Sequence, residues 1–206
     1  YAATGDVAGA RALYEAAGAL PEASVGLGIL SWREGDAETA RAHLDRALAL
    51  LPHASTEQLV FFADLEGWSE GHFEASAHAR WFETLHRADP EALVRWLLEA
   101  DEGLVVLELS RLLRVYKLDE STDQAFWPPE ERQLATHDGI YYLEPRSEDL
   151  AMAFPPLWEA FAHLRSERSQ AYEALLEQVL WVLPAEQEEN AYEERNSRLA
   201  EKGFPE

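Results

Sequence analysis

The sequence predicts an all-α fold: a short solenoid of stacked helical hairpins, an irregular connecting segment, and C-terminal helices. Three observations carry this. The first half repeats itself, apolar residues recur at helical spacing in both halves, and prolines and glycines fall where helices start and stop. The chain has 206 residues, 47% of them hydrophobic, which is enough for a real core.

The repeat comes first. GWSEGHFEAS (67–76) laid on SWREGDAETA (31–40) matches Trp68 to Trp32, Glu70 to Glu34, Gly71 to Gly35 and Glu74 to Glu38. YAATGDVAGARALYEAAGAL (1–20) laid on SWREGDAETARAHLDRALAL (31–50) matches Gly5–Asp6 to Gly35–Asp36. It also matches Ala10–Arg11–Ala12 to Ala40–Arg41–Ala42, and Ala17 to Ala47. Each copy reads as an apolar helix, a glycine turn, and an Ala-rich amphipathic helix. GWSEG itself reads as the turn between two helices, with its glycine allowing the reversal.

The stretch LGILSWREGDAETARAHLDRALALLP (27–52) resembles a tetratricopeptide repeat through Leu27–Gly28, Gly35–Asp36, Ala40, Leu44, Ala47 and Pro52. Small residues at Gly28, Ala40 and Ala47 let helices approach closely. Departures are Ser24 and Ser31, where the family has large residues, and Arg80 beside Trp81 in the third copy. The resemblance implies a right-handed solenoid over residues 1–118. It also implies that the first helix of each hairpin lines a concave groove for a protein or peptide. That mapping selects Ile29, Trp32 and Arg33 from one repeat and Phe61, Leu65 and Trp68 from the next. Buried beneath residues 119–206, the same side chains would be core instead. Tyr1 aligns inside a repeat helix, so further repeat is expected upstream.

After Pro90, EALVRWLLEAD and LVVLELSRLLRVYKL form a further hairpin to Leu118, turning at Glu102–Gly103. Residues 119–149 change character, mixing turn formers and acids around Phe126–Trp127 and Tyr141–Tyr142. Pro128–Pro129 opens a short helix, Asp138–Gly139 ends it, and IYYLEP reads as extended. So aromatic a segment is expected to pack on the helices. From residue 150 helices return: LWEAFAHLRSE after Pro155–Pro156, SQAYEALLEQVLWVL before Pro184, and a polar terminal helix anchored by Tyr192 and Leu199.

Composition narrows function. The chain lacks cysteine, which excludes disulfides, thiolate metal sites and cysteine nucleophiles. It carries 39 Asp+Glu against 17 Lys+Arg, for a net charge of −22. Such a surface repels nucleic acid and anionic lipid and favours a basic partner. No apolar run reaches a membrane span. The expected compartment is the cytoplasm, with periplasmic or secreted locations as alternatives, and the arginine-over-lysine bias suits a bacterial source.

GWSEG fits G-x-S-x-G, the nucleophile elbow of an α/β-hydrolase, but a nucleophile at Ser69 needs a strand leading in and a helix leading out. The repeat alignment places Arg33 opposite Ser69 and favours a turn. His72, His78 and His86 lack the i,i+4 spacing of a helical zinc pair, and Glu130–Glu131 and Glu188–Glu189 read as acidic surface. No metal or cofactor is expected. The resulting expectation is a non-enzymatic adaptor or scaffold binding a basic protein or peptide. The alternatives are a helical regulatory domain of a bacterial transcriptional regulator or signalling protein, and an enzyme with its site in the second half.

Overall fold

The computed structural model describes residues 49–117 and 134–202 continuously, with scattered positions between 11 and 46. The chain divides into two compact units, Tyr1–Ser55 and Thr56–Glu206. In the first unit, Leu27, Ser31, Glu38, Thr39, Ala42 and Arg46 are helical and Asp36 is not. Asp36 Oδ1 accepts from the Thr39 amide at 3.0 Å, as a helix-capping aspartate does. A 3-10 turn, Leu51–His53, follows.

The second unit is mostly helical. It opens with α1 (Thr56–Glu66), then strands β1 (Trp68–Ser69) and β2 (His72–Phe73), then α2 (Ala75–Ala88). On α2, His78, Ala79, Phe82 and Leu85 are buried at helical spacing, and His86 and Arg87 complement the dipole in the last turn. Asp89 ends α2 and caps α3 (Pro90–Glu99), accepting from the Glu91 amide at 3.0 Å. Pro90 sits where a helix start tolerates it. Asp101 caps α4 (Glu102–Leu112) by accepting from the Leu104 amide at 2.9 Å. The reversal therefore falls at Ala100–Asp101, just before the expected Glu102–Gly103. Almost every side chain of α4 is buried, so this helix is the centre of the unit.

A single helix to Leu118 is not what forms. The backbone extends at Leu113, and β3 (Leu113–Lys117) pairs antiparallel with β5 (Tyr141–Pro145), Val115 opposite Leu143. Val115 and Tyr116 favour a pleated surface, and β5 offers a partner that helical periodicity alone cannot reveal. The short β4 (Leu134–Ala135) pairs along β5, giving the order β3-β5-β4. The fold is thus mostly helical with a small sheet. IYYLEP is extended, as read from the sequence, whereas the short helix expected after Pro128–Pro129 lies outside the described residues.

The turn into β5 is held by Asp138, which accepts from the Ile140 amide at 3.0 Å and pairs with Arg165 at 3.1 Å. The sheet packs on the later helices, the Tyr141 hydroxyl donating to Glu177 at 2.8 Å and its ring meeting Tyr172 edge-on at 6.1 Å. Those helices are α5 (Phe154–Glu167), entered through a 3-10 turn (Glu148–Ala153), α6 (Ser169–Trp181) and α7 (Pro184–Glu201). Packing in this unit is not the nearest-neighbour stacking that defines a solenoid. α5 lies on α3, while α7 returns to pack on α4 and α1.

Three helices meet at one buried polar cluster. Glu108 on α4 accepts from Trp96 Nε1 on α3 at 2.8 Å and pairs with His78 Nδ1 on α2 at 2.6 Å. Phe73 stacks on the His78 ring at 4.2 Å. The other face of the cluster explains Gly67. A Cβ there would lie 2.0 Å from His78 Nε2 and 2.6 Å from the Ala63 carbonyl. Glu70 (φ 51°) and Gly71 (φ 83°) then make the left-handed reversal of a type I′ hairpin. Gly67→Ala is expected to destabilise the protein by about 1–3 kcal/mol, the range for overpacking a closed site. A urea-melt midpoint unchanged from the parent would contradict this account.

Candidate functional site

The residues selected from the sequence separate in the structure. Ile29, Trp32 and Arg33 lie outside the described residues. Phe61 is half-buried, and Leu65 is 37% exposed on α1. Trp68 is 8% exposed. Its ring meets Phe73 edge-on at 5.5 Å and Tyr192 at 5.7 Å, with the Arg195 guanidinium 5.7 Å from its centroid. Trp68 is therefore where α7 seats on the hairpin, and it presents no open binding face. Ser69 is exposed and runs into another strand rather than a helix, so the elbow geometry does not form.

Phe61 lines a cleft of about 380 Å³ between α1, α7 and the α3–α4 corner. The α1 wall supplies Thr56, Glu57, Phe61 and Asp64. Glu99 and Asp101 come from the corner, and Arg198, Glu201 and Lys202 from α7 and its end. Thr56 donates to Glu99 at 3.0 Å, closing one side.

Asp64 anchors the cleft. Its carboxylate is 1% exposed and accepts two parallel bonds from Arg198, Nε and Nη2, each at 2.8 Å. Arg195 Nε donates to the Asp64 carbonyl at 2.7 Å. Bidentate arginine is the geometry that best compensates a buried carboxylate. The hydrogen bonds and charge of Asp64 push the Arg198 guanidinium above its usual range.

Lys202 occupies the mouth. Its Nζ donates to Glu57 at 2.9 Å and sits 5.6 Å from the centroid of the Phe61 ring. The ammonium thus has a carboxylate on one side and an aromatic face on another, the pairing that binds a cation through charge and ring quadrupole together. Hydrogen bonding and the charge of Lys202 hold the Glu57 carboxyl below its ordinary range. Five carboxylates against two cations leave the cleft acidic.

Behind the cleft, Glu194 faces Asp101. Burial raises the Glu194 carboxyl above the usual range, and the neighbouring Asp101 charge adds to the shift.

Apart from Phe61, no residue of this cleft was singled out by the repeat alignment. Asp64 carried a readable signal, an acid inside the apolar run VFFADL, and so did Glu108 inside LVVLELS. Arg198 and Lys202 sit in a polar helix whose destination only the fold reveals. Among the described residues, no group of three or more His, Asp or Glu is arranged to hold a metal ion. Nor, among them, is any helix long and apolar enough to cross a membrane.

Fold and cleft define a mostly helical domain with an acidic, aromatic-floored groove. Residues 41–206 match a family of unknown function (DUF6178), and the chain belongs to that family. No curated protein and no solved structure matches it.

Two outcomes follow for the cleft's framework. Asp64→Ala is expected to destabilise the protein by about 2 kcal/mol, less than the ~3–5 kcal/mol of a wholly buried pair because Arg198 keeps partial solvent. A change under about 0.5 kcal/mol by denaturant melting would refute the anchoring role. Glu194 binds its proton more tightly in the folded state than in the unfolded chain, since its native pKa is raised. Its contribution to stability is therefore fully present below the ordinary glutamate pKa and lost as pH rises through the raised native value. Glu194→Gln should flatten that component above the ordinary glutamate pKa and be no less stable than the parent at neutral pH. An unaltered pH profile of the melting midpoint would count against the Asp101–Glu194 repulsion.

Proposed function

We propose that this chain is a non-enzymatic protein-interaction domain, an adaptor or scaffold. In this reading it binds a basic protein or peptide segment, and the cleft between α1 and α7 holds a lysine or arginine side chain of the partner. One observation carries the reading: the chain's own Lys202 is seated there, between Glu57 and the Phe61 ring. A site that binds one flexible ammonium through a carboxylate and an aromatic face has the chemistry to bind another. The net charge of −22 supports the same partner, because it raises the local concentration of cationic segments and speeds their encounter. The tetratricopeptide resemblance over residues 27–52 supports the same class of function, and it implies Ile29, Trp32 and Arg33 as binding residues of that repeat.

The test is calorimetric titration with a synthetic alternating lysine–glycine peptide. Phe61→Ala and Glu57→Gln should each weaken binding several-fold, about the worth of one cation–π contact or one charge-assisted bond. Lys202→Ala should tighten it, because an internal competitor is removed. Glu186→Gln on the opposite end of α7 should leave it within about twofold, since a rim charge away from the cleft acts only through long-range attraction. Equal binding by parent, Phe61→Ala and Glu57→Gln would show that the peptide is held by general charge alone and would defeat the proposal.

A further inference from the structure

At the opposite end of α7 from Lys202, the corner between α6 and α7 leaves two large apolar side chains in solvent. Trp181 is 77% exposed and Leu183 is 67% exposed. They do not stand alone. Ala171, Ala174, Gln178 and Trp181 fall on one stripe of α6, spaced three and four residues apart. The first three of these line a groove of about 260 Å³ whose opposite wall is Leu97, Leu98, Ala100 and Val105. Leu98 is itself 40% exposed. A trough lined mostly by apolar residues with Glu102 and Gln178 among them, and an exposed tryptophan further along the same helix stripe, has the form that receives the apolar stripe of a partner helix.

Charge says which partner fits. Glu102 stands on one wall and bonds Gln178 across the groove. Glu173 lies on α6 and Glu186 opens α7, both exposed, and Glu177 accepts from Trp181 Nε1 at 3.3 Å. The carbonyl end of α6 adds partial negative charge beside Trp181. Among the described residues, Lys117 pairs with Glu177, and Arg111, already paired with Glu188, reaches the Pro184 carbonyl; Glu173 and Glu186 are left for a partner's cations. A second copy of this chain would bring the same acids face to face in a twofold contact, between molecules that each carry −22. We propose that this groove docks an amphipathic helix with a leucine-type apolar stripe and lysine or arginine flanks, Trp181 and Leu183 serving as the anchors at its end.

This surface is separate from the Lys202 cleft, and the test keeps them apart. The probe is a synthetic two-heptad peptide with leucines on one face and lysines on the other, titrated into the whole protein. Trp181→Ala and Leu183→Ala should each weaken binding about tenfold or more, as central aromatic and aliphatic anchors do. A peptide with serine for leucine should lose the same affinity, with no further loss against Trp181→Ala. Phe61→Ala should affect leucine and serine peptides alike, so the cleft can fail while this proposal stands, and the reverse. Both anchors are exposed, and their variants should melt with the parent. Insensitivity to Trp181 and Leu183 would overturn the proposal, as would equal binding of a glutamate-for-lysine peptide. So would self-association by sedimentation that Trp181→Ala abolishes, which would make the occupant a second copy. The chain has no cysteine, so Leu183→Cys gives a single thiol; slow reaction with a disulfide reagent in the free protein would show the face already covered and would also overturn it.

Discussion

The buried carboxylate of Glu108 is the constraint from which the rest of this unit follows. It is fully enclosed, on the helix with the most complete burial, and water cannot solvate it. Leaving such a group unpaired costs several kcal/mol, about a third or more of a typical domain's stability. Its partners are therefore obligatory. Trp96 brings α3 against α4, and His78 brings α2 against the same residue. Apolar burial alone, of Phe82 on α2, Leu93 on α3 and Leu104 on α4 among others, would allow several slid arrangements of three helices. Two directional bonds to one carboxylate select one of them.

His78 passes that constraint on to the hairpin. Its ring is fixed by Glu108, so the chain crossing above it has no room for a side chain, and Gly67 stands there. Phe73 then covers the ring from β2, which requires the reversal at Glu70–Gly71. The same reversal sets Trp68 beside Phe73 as a platform, and α7 lies on it through Tyr192 and Arg195. Tyr192 lies over Gly71, where a Cβ would make only ordinary contact with its hydroxyl at 3.4 Å; the glycine is required by its φ of 83°. With α7 so placed, Arg198 reaches Asp64 and Lys202 reaches Glu57. The cleft mouth is thus the last link in a sequence that begins at a carboxylate on another helix.

Helix periodicity and proline starts were legible in the sequence, because each is local. Pro90 and Pro155–Pro156 mark their helices without knowledge of the fold, and the polar terminal helix with Leu199 and Tyr192 as anchors is recognisable as written. Two kinds of feature were not. Strand β3 was absorbed into a helix because Leu109, Leu112 and Val115 keep helical spacing, and its pairing partner lies beyond residue 140. The pairing of Asp64 with Arg198 joins two helices far apart in sequence, and nothing in either helix names the other. Trp68 shows the limit of alignment by pattern. Matching it to Trp32 placed it on a groove, whereas its burial comes from α7, an element outside the repeat.

The weight placed on α7 explains why the cleft sits where it does. Along its eighteen residues only Ala191 and Leu199 are buried, so little of its docking comes from removing apolar surface from water. Directional bonds supply the difference. Arg111 pairs with Glu188, and the Phe73 amide donates to Glu188 at 3.2 Å. Gln187 donates to the Gly103 carbonyl at 2.9 Å, and Arg198 holds Asp64. A helix docked through polar bonds and few apolar contacts opens at lower free energy than the core helices beneath it. Its C-terminal end carries Lys202, the cation that fills the cleft mouth. If the cleft is the recognition surface proposed above, seating a removable cation at the end of a weakly buried helix would let the core remain rigid while one ammonium is exchanged for another.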